Sequence, residues 1–129
     1  MIIIDTSAWI EFLRDTGSSA CAEVDRLLAD GAAVTEPVVM EILAGARDEA
    51  HLHALRGLLG RAELLGCQAA DFDTAARLYR LCRRRGETVR KLIDCLIAAV
   101  ALRHGSPVLH VDADFDVLAR HVGLAIHHP

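Results

Sequence analysis

Four acidic side chains stand inside or at the end of apolar segments of this chain. Asp5 closes MIIID, Glu41 lies within VVMEIL, Asp94 lies within KLIDCLIAA, and Asp112 closes VLHVD. A carboxylate among apolar residues costs free energy unless it is paired, hydrogen-bonded or bound to a cation. Carboxylate oxygens are also the ligands that hard divalent ions prefer. The four placements therefore indicate one shared metal site.

Asp94 gives the clearest of these signals, because residues 92–100 around it are otherwise apolar. A helix that is apolar on all sides is buried, and a buried carboxylate needs a cation or several donors. The other acids also have ordinary interpretations. Asp5 and Asp112 could be helix N-caps, and Glu41 could be a solvated helix residue, although its neighbours leave little polar surface.

The run DADFD has acids at Asp112, Asp114 and Asp116, which is the spacing of the first half of a calcium-binding loop. The remainder of the pattern excludes that loop, because the sixth position is Val117 instead of Gly and the twelfth is Gly123 instead of Glu. Asp114 and Asp116 could simply be first-turn acids that interact favourably with a helix dipole. Asp114 also remains a candidate for the metal site.

Alternating strand and helix patterns surround these acids. The patterns predict strands at residues 2–4, 33–35, 62–67 and 108–111, with a possible fifth at 124–127. They predict helices at residues 8–14, 19–30, 37–46, 49–60, 71–85 and 92–103, and a last helix from residue 113. Continuous apolar strands between helices are typical of an α/β fold with a parallel sheet covered on both faces. Ligands in such folds gather at the carboxyl ends of the strands, where all four acids could converge.

Composition limits the classes of protein to which the chain can belong. Its 129 residues, 53% of them hydrophobic, predict one domain spanning residues 1–129. The longest apolar stretch has too few residues to cross a membrane. The four cysteines form no CxxC pair, which indicates free thiols in a reducing compartment and, by default, the cytoplasm.

Charge gives a mixed indication about nucleic acid. The formal net charge is −4, so no global basic surplus favours binding to RNA or DNA. A local basic cluster nevertheless lies in one short region and contains Arg83, Arg84, Arg90 and Lys91. These side chains could contact the RNA backbone, or could be solvated residues at a helix end.

The segments MIIIDTSAWIEF, PVVMEILAGA, RKLIDCLIAAVALRHG and VLHVDADFDVLA together resemble the PIN-domain ribonucleases of the VapC toxin family, over essentially the whole chain. The resemblance implies a three-layer α/β/α domain and a Mg²⁺- or Mn²⁺-dependent endoribonuclease. It also implies the toxin half of a type II toxin–antitoxin pair, a homodimer and a VapB-like antitoxin as partner. Asp5 and Asp94 would be the principal metal ligands, with Glu41 and Asp112 completing the catalytic set.

The resemblance extends to residues around the acids. Thr6 and Ser7 match short hydroxyl residues that could hydrogen-bond a ligand carboxylate, and Asp114 matches a second acid whose role is less defined. His110 departs from the pattern, since many members have Thr there. The family chemistry would be hydrolysis of RNA, with tRNA as the first expected substrate, by activated water, leaving 5′-phosphate and 3′-hydroxyl ends. An antitoxin could inhibit by inserting an Arg among the carboxylates.

Two alternatives from other classes remain at this point. A receiver-like signalling domain would require paired acids after the first strand and an Asp after the third. Here Asp5 is followed by Thr6 and Ser7, and AELLGCQ ends without an acid. A non-catalytic scaffold with the same fold is the second alternative, and the presence of all four acids argues against it.

Overall fold

The centre of the fold is a four-stranded parallel sheet with the strand order β3-β2-β1-β4. The computed structural model describes all residues, 1–129. Its strands are β1 (Ile2–Ile4), β2 (Ala32–Val34), β3 (Glu63–Leu64) and β4 (Val108–Leu109). Its helices are α1 (Thr6–Leu13), α2 (Ser19–Asp30), α3 (Glu36–Ala44), α4 (Glu49–Leu59), α5 (Ala69–Arg84), α6 (Leu92–His104) and α7 (Ala113–Val122). The α/β class predicted from the sequence is confirmed.

The central strands are buried because they are apolar on both faces. Ile3 and Ile4 of β1 are fully buried, as are Val108 and Leu109 of β4. Helix α1 packs on α2 and α3, while α5, α6 and α7 pack on one another. No helix has both the length and the apolar character needed to cross a membrane.

The predicted strand at residues 124–127 is wrong as an extended element. Only one isolated parallel bridge forms there, between Val108 and Ile126. The Gly123 backbone is left-handed, with φ of 72°, and ends α7 just before this segment. The chain therefore has too few residues in register with β4 to build a further strand.

An ion pair between the buried acid Asp71 and the partly exposed Arg103 links α6 to the start of α5. The Arg103 guanidinium donates from Nε to Asp71 Oδ1 at 2.9 Å, and from Nη2 to Asp71 Oδ2 at 2.8 Å. Asp71 also accepts the Gln68 backbone N–H, so it takes part in the capping of α5. Asp73, two residues further on, forms an exposed pair with Arg77.

We expect Arg103→Ala to lower the free energy of unfolding by more than the loss of an exposed pair does, because it leaves the buried Asp71 carboxylate without its cation. The matched variant Arg77→Ala removes an exposed pair and should cost less than about 1 kcal/mol. Urea unfolding of both variants measures the difference. Equal losses would show that the Arg103–Asp71 pair contributes no more than a surface pair.

Candidate metal and active site

The sheet brings Asp5 and Asp112 to the same edge. Asp5 follows β1 directly and is the N-cap of α1, while Asp112 is the N-cap of α7, shortly after β4. The two strands are parallel neighbours, and the Asp5 N–H donates to the Leu109 carbonyl at 3.0 Å. Asp94 is in the first turn of α6. The carboxyl ends of the central strands are therefore the acidic edge of the molecule.

Three of the carboxylates form a close cluster at this edge. Asp94, Asp112 and Asp114 each offer an oxygen within 4.8 Å of the other two. Asp94 and Asp114 are only 1% and 2% exposed. Asp5 lies outside this distance limit, but its negative charge contributes to raising the pKa of Asp94.

Burial keeps Asp94 and Asp5 from ionising easily. Burial is the main cause that raises the pKa of Asp94 to about 8, with the neighbouring acids Asp114 and Asp5 adding to the effect. Burial likewise raises the pKa of Asp5, and the charge of Glu41 adds to it. Bringing a cation close would favour the ionised forms of both groups.

Asp5 and Asp94 each also have one carboxylate oxygen that accepts no hydrogen bond. Asp5 Oδ1 and Asp94 Oδ2 are buried and have no hydrogen-bond partner. Most buried polar atoms in proteins form hydrogen bonds, so two carboxylate oxygens at one edge that form none need an explanation. Oxygen ligands of this kind fit a hard divalent ion, and the donor set is therefore compatible with Mg²⁺ or Mn²⁺.

Two hydroxyl side chains orient the acids of α1 and α3. Ser7 donates from Oγ to Asp5 Oδ2 at 2.7 Å and accepts the Val111 N–H, which links Asp5 to the loop before α7. Thr6 donates from Oγ1 to Glu41 Oε1 at 2.8 Å. Glu41 is partly exposed and belongs to the site through Thr6 and through its charge beside Asp5.

Asp114 fixes the backbone that leads into α6. Its two oxygens accept the backbone N–H groups of Arg90 and Lys91 at 2.9 and 3.0 Å. Burial by itself raises the pKa of Asp114, yet these bonds hold it below the ordinary value. Asp114 therefore helps to position the first turn of α6, which carries Asp94. The one sequence signal for this contact is weak: an acid of unassigned role in DADFD.

The side chains of Arg90 and Lys91 contact the carboxylates. Arg90 Nη2 lies 2.9 Å from Asp112 Oδ1, and Lys91 Nζ lies 2.8 Å from Asp112 Oδ2 and 3.7 Å from Asp94 Oδ2. Burial raises the pKa of Asp112, but the hydrogen bonds from these two cations keep it below its ordinary value. Sequence reasoning placed Arg90 and Lys91 on RNA and missed this pairing.

The other predicted residues do not join this cluster. Arg83 and Arg84 are exposed on the last turn of α5, and the Arg83 guanidinium stacks 5.5 Å from the Tyr79 ring centre. No ion pair joins either arginine to the acids. His110, the departure from the family pattern, packs against Phe115 and accepts the Asp112 N–H through Nδ1.

We expect Lys91→Met to tighten the binding of Mn²⁺ by about tenfold, which corresponds to about 1.4 kcal/mol. The reason is that the Lys91 ammonium competes for the same oxygens of Asp112 and Asp94 that a metal ion would use. Isothermal titration calorimetry measures the change. Arg61→Met, which removes an exposed charge at the opposite edge of the sheet, serves as the control, and equal affinities in the two variants would contradict the competition.

Comparison with known proteins agrees with this geometry. The family model of the PIN domain matches residues 2–121 of the chain. Over 124 residues the chain is 54% identical to ribonuclease VapC11 of Mycobacterium tuberculosis, covering 93% of this chain and 92% of the relative. The chain therefore belongs to the PIN-domain ribonucleases of the VapC toxin family. The receiver-like alternative is excluded.

Solved structures show the same fold. VapBC2 from Rickettsia felis, bound to a DNA fragment from its promoter, superposes with a TM-score of 0.77 at 17% identity, covering 98% of each chain. Mycobacterium tuberculosis VapC20, described as a sarcin-ricin loop cleaving toxin, gives a TM-score of 0.68 at 19% identity and covers 100% of each chain. At these identities the likeness supports the fold.

Proposed function

We propose that this chain is a Mg²⁺- or Mn²⁺-dependent endoribonuclease, the toxin of a type II toxin–antitoxin pair. The observation that carries the proposal is the pair of buried carboxylate oxygens, Asp5 Oδ1 and Asp94 Oδ2, that no donor satisfies at the acidic edge. No serine or cysteine nucleophile is required for this chemistry. Membership of the family supports the ribonuclease activity. The two oxygens without a hydrogen bond support the proposed position of the metal ion.

The four acids are proposed to bind the metal ion in different roles. Asp5 and Asp94 would be the principal metal ligands, with Glu41 and Asp112 completing the set. A divalent ion held there would supply Lewis acidity, lowering the pKa of a water molecule and stabilising charge on the scissile phosphate. Ser7 holds the orientation of Asp5, and Thr6 holds that of Glu41.

The basic residues would contact the RNA backbone. Arg83 and Arg84 are exposed and free of ion pairs with acids, so they are available to phosphates in the structure as it stands. Arg90 and Lys91 are bound to Asp112, and they would become available when that carboxylate takes a metal ion instead. Phosphate contacts of this kind give affinity that falls steeply with salt.

A VapB-like antitoxin is the proposed partner, and the protein is proposed to act as a homodimer in the cytoplasm. The fold neighbour from Rickettsia felis was crystallised as a VapBC complex, which supports such a partner. The Arg90 contacts show how a guanidinium fits between Asp112 and Asp114. Inhibition by an inserted arginine should therefore be lost when that arginine of the antitoxin is replaced, whereas unchanged inhibition would refute this mode.

Digestion of separate RNA classes tests the activity. The purified chain is incubated with total tRNA or ribosomal RNA in Mg²⁺, in Mn²⁺ and in EDTA, and the products are resolved by length. Discrete cuts that require the metal are expected, with tRNA cut first and a ribosomal RNA loop as the next substrate to consider. Equal cutting in EDTA would overturn the metal-dependent mechanism.

A further inference from the structure

A pocket of about 470 Å³ opens beside Glu41, bounded by α1, the end of α3 and the start of α4. Its lining combines an apolar part with a polar rim. The apolar part is made by Ile10, Leu13, Ile42 and Leu55. The rim is made by Thr6, Glu41, Arg14, Arg47 and His51. The volume falls within the range of roughly 300–1,000 Å³ typical of sites for small ligands.

The pocket is continuous with the acidic edge. Thr6 and Glu41, which line the pocket, are joined by a hydrogen bond of 2.8 Å. Thr6 directly follows Asp5 in the chain, and Ser7 on the next position holds the Asp5 carboxylate. A bound polymer with one phosphate at Asp5 could therefore place the adjacent unit of that polymer in this pocket.

The cations of the rim are unpaired. Arg14 and Arg47 form no ion pair with any acid and make no side-chain hydrogen bond, unlike Arg90, which is bound to Asp112 and Asp114. Two free guanidinium groups next to an apolar surface give a site for an anionic ligand with a flat apolar part. A nucleotide has that combination of groups.

His51 adds a hydrogen-bond donor to the rim of the pocket, and its ring orientation is set by two neighbouring contacts. The Arg47 backbone N–H donates to His51 Nδ1 at 3.0 Å. In the neutral imidazole one nitrogen accepts and the other carries the proton, so Nε2 is the N–H donor. The ring is further placed by the start of α4, where the His51 N–H donates to Asp48 Oδ1 at 2.7 Å.

We propose that this pocket holds a single unpaired nucleotide of the RNA substrate, beside the phosphodiester that is cut. Arg14 and Arg47 bind its flanking phosphates, the apolar surface takes the base, and the His51 Nε2–H donates to it. Single-stranded RNA offers such splayed bases to proteins. The proposal rests on the proposed function, because it takes the acids to be the cutting site.

Charge removal on the rim tests the proposal. The variants are Arg14→Gln, Arg47→Gln and the double variant, with Arg61→Gln as the control. Arg61 is exposed and unpaired and precedes β3, so it lies at the edge of the sheet opposite the acids. The probe is a fluorescein-labelled single-stranded RNA of mixed sequence, and binding is followed by anisotropy in EDTA, where no metal-dependent cutting occurs.

Each rim variant should bind this RNA about fivefold more weakly at 0.1 M salt. Each lost phosphate contact lowers the salt slope, the slope of log affinity against log salt concentration, by about 0.7. In Mn²⁺ the same variants should raise KM with little change in kcat, because the contact is made before and during the reaction. The salt slope separates a lost phosphate contact from a general loss of structure.

The two readouts separate the two claims. If the rim variants bind weakly in EDTA but the wild-type protein cuts no RNA in Mn²⁺, binding of an RNA nucleotide in the pocket stands, whereas its place beside a cut phosphodiester and the nuclease proposal both fail. If the wild type cuts RNA while both rim variants match Arg61→Gln in affinity, salt slope and KM, the pocket assignment is overturned. The pocket would then be left to a peptide segment of a partner protein.

Discussion

Replacing Asp94 with asparagine is expected to slow RNA cleavage by about a thousandfold and to stabilise the metal-free protein. The Asp94 side chain is buried, and its Oδ2 atom has no hydrogen-bond partner. Asparagine has nearly the same shape but cannot offer the charged ligand. Losing about 4 kcal/mol of charge stabilisation by the ion corresponds to a thousandfold lower rate.

Asp73→Asn provides the matched control. It makes the same chemical change at an exposed acid near the start of α5, whose partner is Arg77 and which is not part of the cluster. Initial cleavage rates in Mn²⁺ and unfolding curves in EDTA are measured for both variants. A wild-type rate in Asp94→Asn, or a metal-free form less stable than the wild type, would contradict the role assigned to this carboxylate.

Ionisation of Asp94 is expected to lower the free energy of unfolding of the metal-free protein by about 2 to 3 kcal/mol between pH 5 and pH 8. A shift of one pKa unit corresponds to roughly 1.4 kcal/mol, and solvent screening reduces the total. The pKa of Asp94 is about 8 in the folded protein against an ordinary value of 3.8. The folded state therefore holds a proton in this window that the unfolded state has already released. Stability must then fall as pH rises.

Asp5 acts in the same direction, because burial also raises its pKa. The carboxylates whose pKa values are lowered have the opposite effect, but they titrate below the ordinary value of 3.8 and so outside this window. Divalent metal should reverse the trend, since it binds the ionised carboxylates and stabilises the folded state more at higher pH.

Urea unfolding at pH 5, 6.5 and 8 measures this dependence in EDTA and in Mn²⁺. The quantity to examine is the difference in free energy of unfolding between the wild type and Asp94→Asn at each pH. Titrations that both proteins share, including those of the histidines, cancel in this difference. The variant should show a flatter dependence in EDTA. Identical slopes in the two proteins would show that Asp94 ionises normally.

The local sequence was sufficient to predict the position of three acids. The β-branched run of Ile2, Ile3 and Ile4 predicts a strand that ends at Asp5, and in the structure Ile3 and Ile4 of this strand are buried. The apolar run around Asp94 likewise required burial of that helix. Because strands in an α/β fold run parallel, Asp5, Asp94 and Asp112 could be placed at one edge without a structure.

Contacts across the chain were beyond sequence reasoning. Lys91 pairs with Asp112 and Arg103 pairs with Asp71, and each pair depends on how separate helices pack. Met40 shows a local error of another kind: the apolar neighbours of Glu41 predict little solvent contact on this helix, whereas Met40 is 60% exposed. Composition alone does not say which side of a short helix such as α3 meets the core.

Analysis of the ends of the RNA products tests the central claim most directly. A divalent ion held by the carboxylates of the acidic edge would activate water for hydrolysis without the ribose hydroxyl, so the products should carry 5′-phosphate and 3′-hydroxyl groups. Ligation of an adaptor to the new 5′ ends, with and without prior phosphorylation, distinguishes the chemistry. Efficient ligation without phosphorylation is the predicted result, and products that end in 2′,3′-cyclic phosphate would contradict the account.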